Sequence, residues 1–242
     1  MDAWHWLPFV STLITVGFAV AVFRRYFERR RPQLLWWGLG LALYALGTFA
    51  ETYLAVGWNA ALLRLWYLAG AMLTAAWLGQ GTLALLIRKP RVIGALNGLL
   101  IGASLVAAAA VFLAPLHPAA YQVGLPVSSQ YKAVMDRTTL MIGLTILLNI
   151  YGTLALVGGA LWSAWLFFRK HVLFHRVVGN VLIAAGAMFP AGAGTFIRLG
   201  LGDYLYVSEL LGATLMFAGF WWATQRQPAE QPRATLQAAH SS

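Results

Sequence analysis

The sequence lacks cysteine and has few charged residues. The absence of cysteine excludes disulfides, thiolate metal sites and cysteine nucleophiles. Charged residues make up only 10% of the chain, whereas soluble domains carry about 25%. Hydrophobic residues make up 60%, and the mean hydropathy is +0.70. This composition is typical of a polytopic membrane protein and not of a soluble domain.

Acidic residues are scarce, with 7 against 17 basic residues and a formal net charge of +10. A basic balance of this kind also occurs in nucleic-acid-binding proteins. Here the basic residues lie in short segments between apolar runs, which favours contact with membrane lipids, including anionic headgroups. We therefore expect no nucleic-acid partner. The N-terminal segment MDAWHWLPF has no basic region, so we also expect no cleaved signal peptide.

Histidine and lysine are missing from the interior of the apolar runs. A b-type haem held between helices would therefore lack its usual ligands, and a retinal Schiff base in the last helix is excluded. His171 and His175 have metal-ligand spacing, but their basic neighbours predict a collar that contacts headgroups. The sequence has no recognisable hydrolase, metalloprotease or prenyltransferase motif. We expect no enzyme activity, no cofactor and no metal site.

Seven apolar stretches are each about as long as the roughly 20 residues that cross a membrane. Their approximate bounds are 4–23, 34–56, 60–87, 92–113, 138–168, 177–197 and 204–224. The predicted fold is all-α, a polytopic integral membrane protein with a bundle of seven transmembrane helices over residues 1–224. The longest loop, 114–137, contains three prolines and is not expected to be one helix. Residues 225–242 are predicted to be a disordered cytoplasmic tail.

Most of the basic residues fall on one side of these seven spans. That side carries Arg24, Arg25, Arg29, Arg30, Arg31, Arg88, Lys89, Arg91, Arg169, Lys170, Arg176, Arg226 and Arg233. The other side carries only Arg64, Lys132, Arg137 and Arg198. The positive-inside rule then predicts an N-terminus outside and a C-terminus in the cytoplasm. The predicted location is a bacterial-type inner membrane, with a multi-pass arrangement.

Charged residues inside the spans are the main candidates for a functional site. Glu51 and Arg64 flank the turn at 56–59 at equal distances, about 10 Å from it along their helices. Arg198 and Glu209 flank the last turn in the same way. The depths predict ion pairs within each hairpin, which would lock it. The alternative is cross-pairing between the hairpins, which would form one four-charge site in the outer third of the membrane.

Polar and small side chains accompany these charges at helical spacing. One face of the second span carries Gly40, Tyr44, Gly47, Thr48 and Glu51, and one face of the third carries Arg64, Tyr67, Leu68, Ala71 and Thr74. A polar pocket with Tyr44 and Tyr67 among its contacts is one interpretation. Close packing of small residues between two helices is the other.

Four segments resemble a known family. They are the basic collar 29–31, the run LALYALG at 41–47 followed by Glu51, the run RLWYLAG at 64–70, and Trp77-Leu78 before Arg88. Together they are similar to the N-terminal seven-helix sensor region of bacterial membrane histidine kinases. The resemblance implies a membrane receptor module. No phosphoacceptor or ATP-binding domain follows Thr224, so we expect signalling through a separate partner protein.

The leading functional hypothesis is a stand-alone membrane sensor or receptor-like module with a pocket near the outer membrane face. One alternative is a small-solute transporter with a three-plus-one-plus-three helix layout, which resembles carriers of the SWEET type. Another is a structural subunit of a membrane assembly. Polar groups at mid-span are few, namely Gln80, Asn149 and Asn180. No series of carboxylates crosses the membrane, which counts against a proton pump.

Overall fold

The computed structural model describes residues 6–170, 174–198 and 204–224, without the side chains of 193–198 and Tyr204. These residues form helices and no strand. Seven helices are long and apolar enough to cross a membrane. They are α1 Leu7–Arg29, α2 Pro32–Leu54, α3 Ala60–Leu86, α4 Pro90–Leu113, α5 Thr139–Arg169, α6 Phe174–Arg198 and α7 Tyr204–Thr224. The all-α, seven-helix prediction is confirmed to this extent, and the tail 225–242 lies outside the described residues.

Local chemistry sets most helix boundaries. Pro32 and Pro90 stand at the first positions of α2 and α4, where a missing backbone N–H costs nothing. The Asn59 side chain caps α3 by accepting from the Leu62 N–H at 3.0 Å. Thr138 caps α5 in the same way. Short loops between capped helices make consecutive helices antiparallel.

The two ends of the bundle differ. At one end lie the start of α1, the turn between α2 and α3, residues 114–138 and the start of α7; we call it the capped end. At the other, the basic end, lie the arginine-rich connections. Residues 114–138 contain a 3₁₀ turn at Pro118–Ala120 and a short helix at Val127–Val134, so the segment is not one helix, as its prolines predict. It packs on the hairpin through buried Val127, Val134 and Met135.

A stretch of π-helix interrupts α3 at Trp66–Leu73, and another interrupts α5 at Leu154–Gly158. In a π-helix each carbonyl accepts from the N–H five residues later instead of four. In α3 the Ala69 carbonyl accepts from the Thr74 N–H and also from the Thr74 hydroxyl at 2.8 Å, and the Ala71 carbonyl accepts from the Asn149 amide of α5 at 2.8 Å. The two helices touch at Gly152, where an added Cβ would lie 2.1 Å from the Ala75 carbonyl carbon. Nothing in the apolar sequence pattern indicates these π-helices.

Helix α2 lies between two apolar clusters. On one side its capped end packs with α3, α4 and residues 114–138, around fully buried Leu54 and Leu63. On the other side Leu41 and Tyr44 pack with α1 and α7, where Phe18 stacks on Phe217 with ring centroids 5.0 Å apart. The polar residues of α2 therefore lie in the interior of the bundle.

Candidate functional site

The polar face of α2 is buried, as its spacing predicts. Tyr44, Thr48 and Glu51 expose 5%, 2% and 1% of their surface. The glycines of this face serve packing, because an added Cβ on Gly47 would lie 2.8 Å from the Gly70 Cα, and one on Gly40 would meet the Leu78 backbone. Small-residue packing thus accounts for the glycines, but not for the carboxyl group.

Glu51 is the most unusual residue of this face. Both of its carboxyl oxygens are buried, and neither has a hydrogen-bond partner in the described part of the chain. Neighbouring Ala50 and Leu54 are completely buried and apolar. A buried ionisable group whose oxygens make no hydrogen bond of good geometry is costly, so its presence requires an explanation beyond packing.

Glu209 of α7 is the neighbour of Glu51. The two carboxyl groups face each other, and the Trp66 indole of α3 lies beside the Glu51 carboxyl. One carboxyl oxygen of Glu209 is also buried without a partner among the described residues. The Tyr44 hydroxyl donates to the backbone carbonyl of Glu209 at 2.8 Å and so fixes α7 against α2 at this depth. The structure thus brings together two acids where the sequence predicted an acid and a base.

The predicted ion pair between Glu51 and Arg64 is wrong. The Arg64 guanidinium donates instead to the carbonyls of Val111 at 3.3 Å and Ala114 at 3.0 Å, which belong to the end of α4. A cation at a helix C-terminus is favourable because the last carbonyls lack intrahelical partners. The equal depth of Glu51 and Arg64 gives their positions along the helix axes. It does not determine towards which neighbouring helix each side chain points. Trp66 follows Arg64 by two positions, about 200° around the helix, and it is Trp66 that faces Glu51.

Tyr67 also points away from Glu51. Its hydroxyl lies 3.3 Å from the Thr145 hydroxyl of α5. The predicted site therefore divides into Tyr44, Glu51 and Glu209 on one side of α3 and Arg64 with Tyr67 on the other. The predicted pairing of Arg198 with Glu209 lies outside the described residues, because the Arg198 side chain is not described.

Helix α1 contributes hydroxyl groups that the sequence analysis missed. The Thr12 hydroxyl lies 2.9 Å from that of Thr48, one helical turn from Glu51. Ser11 is completely buried, and its hydroxyl has no partner in the described regions. Hydroxyl residues at positions 11, 12 and 15 of an otherwise apolar helix were the signal that could have revealed this face.

Residues 114–138 cover the capped end of this region. The Tyr121 hydroxyl donates to the Leu54 carbonyl, and its ring lies 4.9 Å from that of Trp58. Burial, and to a lesser degree the negative charge of Glu51, raises the pKa of Tyr121 to about 12. The link to the Leu54 carbonyl places this segment over the end of α2, one turn beyond Glu51.

The polar groups nearer the middle of the bundle bond to one another. Tyr151 of α5 donates to Gln80 of α3, and Gln80 donates to Asn97 of α4. Asn149 donates to the Ala71 carbonyl, and Asn180 bonds within its own helix. The bonds of Gln80, Asn149 and Tyr151 therefore hold neighbouring helices together, and the bond of Asn180 is local to its own helix. Of the histidine pair at 171 and 175, His171 lies outside the described residues.

An apolar cavity of about 70 Å³ lies nearer the basic end. Its walls come from α1, α2, α3, α5, α6 and α7 and include Phe18, Trp37, Leu78, Met216 and Phe220. An engineered apolar cavity that binds benzene has a volume of about 150 Å³, twice that of this space, which is therefore too small for most solutes. Its position differs from that of the pocket predicted near Glu51.

Comparison with protein-family models, curated proteins and solved structures finds no significant match. The geometry around Glu51 and Glu209 is therefore the basis for proposing a function.

Proposed function

We propose that this chain is a multi-pass membrane sensor or receptor-like module whose ligand site contains Glu51, Glu209 and Tyr44. In this proposal the N-terminus and the capped end face the outside of a bacterial-type inner membrane, and the arginine-rich connections contact anionic headgroups on the cytoplasmic side. The site then lies in the outer third of the membrane, beneath residues 114–138.

One observation supports this proposal above the others. Both carboxyl oxygens of Glu51 are buried without a partner among the described residues, and a second carboxyl group faces them. A residue kept in so costly an environment is a functional candidate by default in a membrane protein. A purely structural role is less well supported, because Glu51 does not pair with Arg64 and so does not lock the hairpin.

A transporter needs polar groups that a solute can contact at mid-depth. The mid-depth groups Gln80, Asn97, Asn149 and Tyr151 bond to one another or to backbone carbonyls, which favours a sensor over a transporter. The resemblance to histidine-kinase sensor regions is consistent with a sensor. The site would act by shifting α7 relative to α2 at the hydrogen bond between Tyr44 and Glu209.

A thermal-shift screen with a panel of solutes tests this function. At least one solute is expected to stabilise the purified wild-type protein and not the Glu51→Gln variant. Liposomes that contain the protein should not accumulate that solute. Uptake that depends on Glu51 would support the transporter alternative and contradict the sensor.

Reporter fusions test the proposed topology. A reporter that works only in the cytoplasm is expected to be active when it is fused after Ser242. A reporter that works only in the periplasm is expected to be active when it is inserted near Gly124. The opposite pattern would place the site at the inner face and contradict the proposal.

A further inference from the structure

We infer that Glu51 and Glu209 bind one small monovalent inorganic cation, which Ser11 helps to coordinate. This inference deepens the proposed function by naming the class of ligand. It rests on the site proposed above but not on the use of that site in signalling.

The charge of the site calls for a cation. Two carboxyl groups face each other in a buried region, and within the described residues neither lies within ion-pair distance of a lysine, arginine or histidine. Arg64, which the sequence predicts to pair with Glu51, donates its hydrogen bonds to carbonyls at the end of α4 instead. One monovalent cation and one proton together neutralise two carboxyl groups. Carboxylate and hydroxyl oxygens are the ligands that hard cations prefer.

The buried Ser11 hydroxyl is a second, independent observation that points to a ligand. Ser11 is completely buried, and its oxygen has no hydrogen-bond partner in the described part of the chain. The buried residues Ser11, Thr15 and Phe18 share one face of α1, and Phe18 stacks on Phe217 of α7. Ser11 lies about 10 Å from Phe18 towards the capped end, and Glu209 lies about 12 Å from Phe217 in the same direction. The Ser11 hydroxyl is thus at the depth of Glu209, on the face of α1 that turns towards α7.

The packing around Glu51 limits the size of the ligand. Ala50 and Leu54, next to it and one turn from it on α2, are completely buried. Four residues before Glu51, Gly47 contacts Gly70 too closely for a methyl group. This packing suits a bare or partly hydrated ion better than an organic molecule. Calcium takes six to eight oxygen ligands, more than the carboxyl and hydroxyl oxygens of these three residues supply, so a monovalent ion fits better.

The test measures cation binding to the full-length protein in detergent at constant ionic strength and pH. Sodium, lithium, potassium and choline chlorides are compared by thermal melting, and radioactive sodium binding gives the stoichiometry. At least one alkali ion should raise the melting temperature saturably above that in choline, because a ligand that binds only the folded state stabilises it. The shift should disappear in Glu51→Gln and in Glu209→Gln, and Ser11→Ala should weaken binding several-fold.

Glu28→Gln is the matched control. Glu28 is an exposed carboxylate at the basic end that pairs with Arg24, so its removal should leave the alkali shift unchanged. Equal melting temperatures in alkali and choline salts for the wild type would overturn the inference. So would an alkali shift that survives in both site variants. An alkali shift that appears only in Arg198→Gln would also overturn it, because Arg198 would then be the resident cation.

Failure of this inference can be told apart from failure of the proposed function. A solute that stabilises the protein through Glu51, without any alkali effect, would leave the sensor proposal standing and refute the cation site. A Glu51-dependent alkali shift together with alkali-coupled solute uptake into liposomes would support the cation site and contradict the sensor.

Discussion

The Tyr44 hydroxyl donates a 2.8 Å hydrogen bond to the backbone carbonyl of Glu209, which joins α2 and α7 across 165 positions of sequence. Tyr44 is 5% exposed, so its hydroxyl has no easy access to water. A hydrogen bond within a protein contributes a net stabilisation of about 0.5–1.5 kcal/mol. The bond is therefore expected to matter for stability as well as for the position of the Glu209 side chain.

Tyr44→Phe should lower the free energy of unfolding by about 0.5–1.5 kcal/mol, because the hydrogen bond to the Glu209 carbonyl is lost while that carbonyl, inside α7, keeps its helical partner. Unfolding in mixed detergent micelles measures this change. Tyr53→Phe is the control, since Tyr53 is 42% exposed and should change stability little. Equal stability of the two variants would mean that the Tyr44 bond contributes nothing.

Glu51→Gln and Arg64→Gln should have additive effects on stability, within about 0.3–0.5 kcal/mol, because these residues bind different partners. Glu51→Gln and Glu209→Gln should be non-additive, since the two carboxyl groups interact directly. A double-mutant cycle for each pair separates the cases. Strong coupling of Glu51 with Arg64 would support the predicted ion pair between them and contradict the structure.

Gly152→Ala should destabilise the protein by about 1–3 kcal/mol or more, because the new methyl group would overlap the Ala75 backbone. Gly98→Ala is the matched control. It lies in α4 with nothing within 4 Å of the added Cβ, and alanine favours a helix over glycine by up to about 1 kcal/mol. Gly98→Ala should thus be neutral or stabilising. If both variants melted alike, the close contact of α3 with α5 would be wrong.

The protein should lose stability between about pH 10 and pH 12, in part through Tyr121. Burial and, secondly, the charge of Glu51 raise the pKa of Tyr121 from 10.0 to about 12 in the folded state. A raised folded-state pKa means that the stabilisation is complete below pH 10.0 and is lost as the pH rises through about 12. Melting curves of Tyr121→Phe should show a smaller loss over this window than the wild type or Tyr53→Phe. An unchanged slope would contradict the burial of Tyr121 against Leu54.

The sequence predicts the axial positions of the helices well and their rotations poorly. Apolar length gives the seven helices, and the predicted starts at 34, 60 and 92 lie within two residues of the starts of α2, α3 and α4 at Pro32, Ala60 and Pro90. The depth of Glu51 follows from its distance to the turn. Its partner does not, because the direction of each face depends on contacts with α1, α4 and α7 that lie far away in sequence.

The interpretation of Arg64 illustrates this limit. In the sequence, Glu51 is the opposite charge at the same predicted depth as Arg64. The carbonyls at the end of α4, which Arg64 binds instead, come within reach only when α4 packs beside α3. The missed hydroxyl of Ser11 has the same origin, since its relevance depends on the parallel contact of α1 with α7. Hydrogen bonds from Thr74 and Asn149 to carbonyls of the π-helix in α3 were likewise beyond prediction, because apolar periodicity does not distinguish π from α turns.

In the proposed account Glu51 and Glu209 form a binding site, and neither belongs to a structural ion pair with an arginine. The most direct test is the melting temperature of Glu51→Gln and Glu209→Gln in choline buffer, without alkali ions. Each substitution removes one of two facing buried carboxyl groups, so the account predicts a melting temperature equal to or above that of the wild type. A fall that corresponds to the loss of about 3–5 kcal/mol, as for a broken buried ion pair, would contradict it.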